Sequence, residues 1–170
     1  SGAFPMGMLQ LLTKTYERLD SRFDLYQTKM NIIQNTIFGV DIEPMAVEIS
    51  RLRAWLAIIV DDMGEIDPLP NLDFKFVCAD SLIPLEKSVG LWSDPALQEK
   101  MTNVREKFFN ARKPEMKETW KKEYYKLTSP QTSMLDDKRE NQLKSFDPFK
   151  NQRPAEFFDS KYMFGVDKFD

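Results

Sequence analysis

No histidine occurs in this sequence of 170 residues, and there is one cysteine, Cys78. The first absence excludes an imidazole-based triad and a histidine-ligated metal, so no metal site is expected. The second excludes a disulfide within the chain. A lone thiol fits a reducing compartment, and a cytoplasmic setting is expected. Long apolar runs are missing as well. The longest lies around residues 54–60, far short of the ~20 residues that span a bilayer. Nothing reads as a signal peptide, so no membrane partner is expected. Strong charge of one sign is also lacking, the net charge being −3. There is therefore no global basic field, although a local patch would suffice to meet a polyanion. What remains is 42% hydrophobic and 30% charged, enough to build the core of one domain or a little more.

Met8, Leu9, Leu12, Tyr16 and Leu19 recur at helical spacing over residues 5–19, and Pro5 suits a first helical turn. Phe23, Leu25, Tyr26, Met30 and Ile33 continue as a second helix over 22–35. Residues 36–42 read as a short buried strand ending in an acid, Asp41. A third helix starts at Glu43-Pro44 and runs to about Asp62. Its later turns are apolar over much of their circumference, which predicts deep burial. Residues 64–70 form a loop punctuated by Asp67-Pro68 and Leu69-Pro70. Residues 74–80 read as a second strand, again ending in an acid, Asp80. The order helix–strand–helix–strand implies a parallel, doubly wound sheet.

Beyond Pro84 the character changes. Residues 97–127 hold nine Lys/Arg and five Glu, a local balance of +4 that leaves −7 for the rest. Two amphipathic helices broken near Pro114 are expected. A solvated face laced with i,i+4 pairs is the ordinary account. A basic insertion lying near a nucleic-acid backbone is the sharper one. Residues 128–154 read as polar loop with a short helix near 138–144.

Three short stretches can carry chemistry, through their order. Ser1-Gly2-Ala3-Phe4 is a glycine turn leading into a helix N-terminus. Such a turn lets backbone approach a ligand closely, and its N–H groups favour a carboxylate or other anion. Asp41, closing the first strand, could accept hydrogen bonds from both ribose hydroxyls of an adenosine. It lies about twice as far from the glycine turn as the usual ~20 residues, so the helix at 22–35 reads as an insertion. As an alternative, Asp41 is simply the N-cap beside Pro44. Asp80 ends the next strand on the same sheet edge, where it could accept an adenine amine or serve only as a turn residue. Ligands of open α/β sheets bind outside the carboxyl ends of the strands.

The stretches 1–7 (SGAFPMG), 37–53 (IFGVDIEPMAVEISRLR), 68–76 (PLPNLDFKF) and 79–83 (ADSLI) occur in that order. Together they resemble the cofactor half of the gamma-class adenine-N6 DNA methyltransferases. The resemblance is closest to the type IIG restriction–modification enzymes, in which nuclease, methyltransferase and target-recognition parts share one chain. The closing stretch 155–170 (AEFFDSKYMFGVDKFD) resembles the approach to that family's catalytic strand. Residues 86–150 match only in character.

The resemblance implies a partial Rossmann-like sheet binding S-adenosyl-L-methionine (SAM), with a charged helical insertion. It divides the chain into a partial cofactor core at 1–85, the insertion at 86–150, and a lead-in to the catalytic strand at 151–170. Ser1, Gly2, Ala3 and Phe4 match the end of the motif that holds the methionine part. Asp41 matches the ribose acid and Ile42 the apolar residue beside the adenine. Asp80 matches the acid that accepts the adenine amine, with Ser81 next to it.

One departure is decisive: neither Asn-Pro-Pro nor Asp-Pro-Pro occurs in the sequence. In the family that motif accepts the amine hydrogens of a flipped adenine while its aromatic residue stacks on the base. No catalytic residue is therefore assigned. Both ends look excised from a longer protein, so the segment alone is expected to be inactive and to bind SAM weakly or not at all. Double-stranded DNA is expected as a partner through the parent, and the isolated segment could dimerise through apolar surface. Two other readings remain: a helical module that docks within the parent, and a nicotinamide dinucleotide domain. The latter wants Gly-x-Gly-x-x-Gly directly after a strand, a spacing that Gly2 and Gly7 do not provide.

Overall fold

The structure is a computed structural model that describes residues 2–19, 23–60, 70–86, 95–132, 137–150 and 152–169. Helix α1 (Ala3–Leu19) carries Pro5 in its first turn, and α2 (Leu25–Asn35) is capped by Asp24, whose carboxylate accepts the Gln27 amide at 3.0 Å. Strand β1 (Gly39–Asp41) leads into α3 (Pro44–Ile59), which opens on its proline as expected. Strand β2 (Phe76–Cys78) follows. The two strands pair in parallel, with Gly39 opposite Phe76 and Asp41 opposite Cys78. The loop expected at 64–70 lies outside the described residues except for Pro70.

Both strands are shorter than the apolar runs suggest, because flanking amides are spent elsewhere. The Thr36 and Ile37 amides bond back to the Ile32 carbonyl at the end of α2. The Lys75 and Phe76 amides close a turn onto the Leu72 carbonyl. Ile37 and Phe74 are buried without being strand residues.

A third lane runs beside β2. Parallel bridges join Ala79 to Ala155 and Pro84 to Phe158. The Ala155 amide donates to the Cys78 carbonyl, and the Asp80 amide donates to the Ala155 carbonyl, each at 2.9 Å. Side chains along β2 alternate as a pleat requires. Phe76 and Cys78 join a core with α1, α2 and α3, whereas Val77 and Ala79 join a core with Leu143, Phe157 and Met163. The molecule is a mixed helical structure whose small parallel sheet is covered on both faces, an arrangement compatible with an α/β methyltransferase fold.

Three expectations change. Helix α3 is not buried all round: Val47, Ala54 and Ile58 face the strands, while Leu52 and Leu56 stay exposed on the opposite side. The charged stretch forms α4 (Pro95–Phe109) and α5 (Pro114–Thr132), so helix extends into residues read as loop; α6 (Asp137–Ser145) follows. Within the closing stretch, α7 (Ser160–Phe164) stands where an approach to a strand was read. The Asp159 carboxylate accepts the Tyr162 amide at its start, and Gly165, at φ 78°, ends it. Residues 166–169 form no strand.

Two buried polar side chains fix elements distant in sequence. The Arg51 guanidinium, on α3, donates to the carbonyls of Phe76 and Asp73. The Asn71 amide donates to the carbonyls of Phe108 and Ala111, at 2.6 and 2.9 Å, and ties down the chain where α4 ends; the Phe108 carbonyl also accepts the Ala111 amide at 3.1 Å. Asn71→Leu should cost about 1–3 kcal/mol, the penalty for leaving the buried Ala111 carbonyl without its donor. Urea denaturation followed by circular dichroism measures it, and a loss below about 0.5 kcal/mol would show that Asn71 does not hold α4.

Candidate functional site

Asp41 is the last residue of β1, and the chain turns there into α3. Its Oδ1 accepts the Glu43 amide at 3.0 Å. That backbone hydrogen bond is the main reason why its carboxyl is held below the usual carboxylate range, against the opposing effect of partial burial. Asp41 is therefore ionised at neutral pH. It is also a turn residue; the N-cap position of α3 belongs to Glu43, whose side chain makes no cap hydrogen bond.

Beside it lies a cleft of about 470 Å³, lined by residues 2–5, 38–41 and by Val47, Ser50 and Phe76. The volume suits a small-molecule site. Gly2 shapes one wall. Its φ of 77° is a left-handed conformation, and a Cβ there would stand 2.9 Å from the Ser50 Oγ and 3.0 Å from the Ser50 Cα. Only glycine fits between the start of α1 and α3. In the first turn of a helix, N–H groups have no intrahelical acceptor. Those of Ala3 and Phe4 occupy that turn, and Pro5 has none. The Phe4 ring is 91% exposed at the cleft's rim.

Asp80 stands two residues beyond Cys78, the register partner of Asp41. Strand geometry separates their backbones by roughly 7 Å along the strand and about 5 Å across it, and alternation aims both side chains to one face. The Asp80 Oδ1 accepts the Leu82 amide at 3.0 Å, the same turn that closes β1 at Asp41. Gly2, Ala3, Phe4 and Asp41 thus share one cleft, and Ile42, Asp80 and Ser81 lie outside its lining. Ile42 and Ser81 are exposed, and Asp80 is half-buried. Ser1 lies outside the described residues. Sequence reasoning missed Val47 and Ser50; their three-residue spacing on a helix that follows the acid was the available signal.

Cys78, close to this edge, is a buried free thiol. Burial, followed by the neighbouring Asp41 charge, pushes its thiol up to about 11. Among the described residues no group of three metal-ligating side chains occurs, and no helix is long and apolar enough to cross a membrane.

A family model described as the Eco57I restriction-modification methylase matches residues 35–170. The class is therefore that of restriction–modification methylases, and the chain belongs to the Eco57I family. Asp41, Ile42, Asp80 and Ser81 fall inside the matched stretch; residues 1–4 precede it. The chain is also 39% identical over 82 residues to a candidate type II restriction enzyme and methyltransferase of Methanocaldococcus jannaschii. That alignment covers 45% of this chain and 7% of the archaeal protein, so the chain spans a small part of its relative's length. No solved structure matches the chain.

Proposed function

We propose that this chain forms the cofactor side of a SAM-dependent DNA methyltransferase that modifies adenine N6 in a restriction–modification system. The observation that carries the reading is the single cleft in which the ionised Asp41 faces the Gly2 turn and the N-terminus of α1. The donor set fits SAM. The Asp41 carboxylate accepts the two ribose hydroxyls, which Asn or Ser would hold less strongly. The Gly2 turn and the first amides of α1 receive the methionine carboxylate. Ile42 packs beside the adenine, and Asp80, with Ser81 next to it, accepts the adenine amine. On this reading the sheet is part of a Rossmann-like methyltransferase sheet. When bound, SAM supplies the electrophilic methyl group. Double-stranded DNA is met through the whole protein.

The chain supplies no acceptor for the amine of a target base, because it contains neither Asn-Pro-Pro nor Asp-Pro-Pro. The chain alone should therefore transfer no methyl group from SAM to duplex DNA, whereas the whole protein should yield N6-methyladenine on nucleoside mass spectrometry. Incorporation by the chain alone would refute the division of labour. A cytosine product from the whole protein would refute the base assignment. Saturation-transfer NMR should detect SAM against this chain in preference to NADH, and the reverse preference would overturn the cofactor assignment.

A further inference from the structure

A second cavity, of about 170 Å³, lies at the other end of the strands. Phe38 and Lys75, each immediately before its strand, line it with Arg105 and Glu106 of α4 and with Gly165 after α7. Asp41 closes β1 three residues after Phe38, about 10 Å away along the strand. The cavity is too small for a cofactor-sized ligand, yet holds several times the ~30 Å³ of one water.

Its walls carry unpaired positive charge. Arg105 is only 8% exposed. One terminal nitrogen donates to the Tyr162 carbonyl, but Nε has no acceptor. The other terminal nitrogen, Nη1, stands 2.9 Å from the point where a side chain on Gly165 would begin. Gly165 sits at φ 78°, and its lack of a side chain lets the guanidinium pack closely against the backbone there. The Lys75 ammonium lies 4.1 Å from the centre of the Phe38 ring. Burial, then the Arg105 charge, holds it down to about 8. Neither cation pairs with a carboxylate among the described residues. Among the described residues Glu106 is the one acid in the lining, against the two cations. A buried guanidinium without a counter-charge is costly, and an anion in reach of its unpartnered Nε–H relieves that cost.

We infer that this cavity is an oxyanion site that takes a phosphate group between the Arg105 guanidinium and the Lys75 ammonium. The planar guanidinium and the neighbouring ammonium match the donors phosphate prefers. The phosphate could be free or belong to a nucleotide, and the site does not depend on the SAM reading.

Phosphorus-31 NMR and thermal melting test it, with inorganic phosphate compared against chloride at equal ionic strength. Phosphate should broaden in the presence of the chain and raise its melting temperature. Lys75→Met, which keeps the stem over Phe38, should weaken binding about tenfold or more, the scale of one charge-assisted hydrogen bond. At about pH 6, where the Lys75 ammonium stays protonated with or without the Glu106 charge, Glu106→Gln, on the exposed side of α4, should tighten it by about threefold or more as the repelling charge goes. No preference for phosphate over chloride overturns the inference. So does an affinity that Glu106→Gln leaves unchanged or weakens, a result readable even if Lys75→Met fails to fold. A 5′-mononucleotide and a short DNA duplex identify the source. Displacement of phosphate by either supports a nucleotide or polynucleotide phosphate, and displacement by neither supports the free anion.

Discussion

Arg51→Ala is expected to lower folding stability by about 2–4 kcal/mol, chiefly the cost of leaving two backbone carbonyls without their donor. The guanidinium is nearly inaccessible. It donates twice to the Phe76 carbonyl, through Nε at 3.2 Å and Nη2 at 2.7 Å, and once to the Asp73 carbonyl. It also faces two carboxylates, Glu48 at 3.0 Å and Asp73 at 3.5 Å. Alanine would leave these carbonyls without donors and the half-buried Asp73 without its nearest cation. Asp73 is already raised by burial, with Arg51 acting against the rise.

The sign of the pH dependence follows. A carboxyl whose folded pKa exceeds its unfolded value, about 3.9, leaves stability intact below that value. Stability is then lost as pH climbs through the folded value. Without Arg51 that folded value moves higher, so the deficit of the variant should grow from about pH 4 to about pH 7. Urea denaturation at the two pH values reads it directly. A cost below about 1 kcal/mol, or one that shrinks towards neutral pH, would mean that Arg51 does not tie α3 to β2.

That tie also marks where the sequence stops being readable. The helix starts near Pro5 and at Pro44 were legible because proline fits a first turn for a local reason, and Pro114 was legible as the break between two helices. The parallel order was legible because one helix separates two acid-ended apolar runs. Partners such as Arg51 with Phe76, or Asn71 with the end of α4, were not, since nothing local announces a contact made across a fold. Helix α7 was missed because five residues are too few to display a period; only its cap residues, Asp159 and Gly165, carried a signal. The charged stretch showed its apolar stripe but not what the stripe meets. Phe74, Phe108, Tyr124 and Phe149 stack there with ring centres 5.0–5.6 Å apart.

The candidate site was legible to a different degree at each residue. Gly2 and Asp41 were singled out for separate reasons, and they line one cleft. The long interval between them is filled by α2, which buries Met30, Ile32 and Ile33 against its neighbours. Asp80 was chosen by the same logic as Asp41 and stands on the same strand edge, yet it does not line that cleft. The reason is register: it lies two residues past the partner of Asp41, and its lane is shared with Ala155.

Asp41→Ala should therefore separate the two acids functionally. If the carboxylate accepts both ribose hydroxyls, its removal forfeits two charge-assisted hydrogen bonds of about 1.5 kcal/mol each at the low end. SAM affinity of the whole protein should fall by about 100-fold or more. Asp41→Asn keeps one oxygen able to accept the Glu43 amide and should lose about tenfold. Asp80→Asn, which would replace one acceptor of a neutral amine, should lose less. Titration calorimetry gives the order, and circular dichroism checks that the turn into α3 survives. The Glu43 amide that holds the Asp41 carboxyl low also sets the pH profile. A depressed folded pKa keeps the charged form as pH falls through the ordinary carboxylate range, so binding carried by Asp41 should persist to lower pH than a free aspartate would allow. An intact Asp41→Ala protein with undiminished SAM affinity would leave the Gly2 cleft without a nucleoside to hold. The proposed cofactor site would then have to be sought at another edge of the sheet.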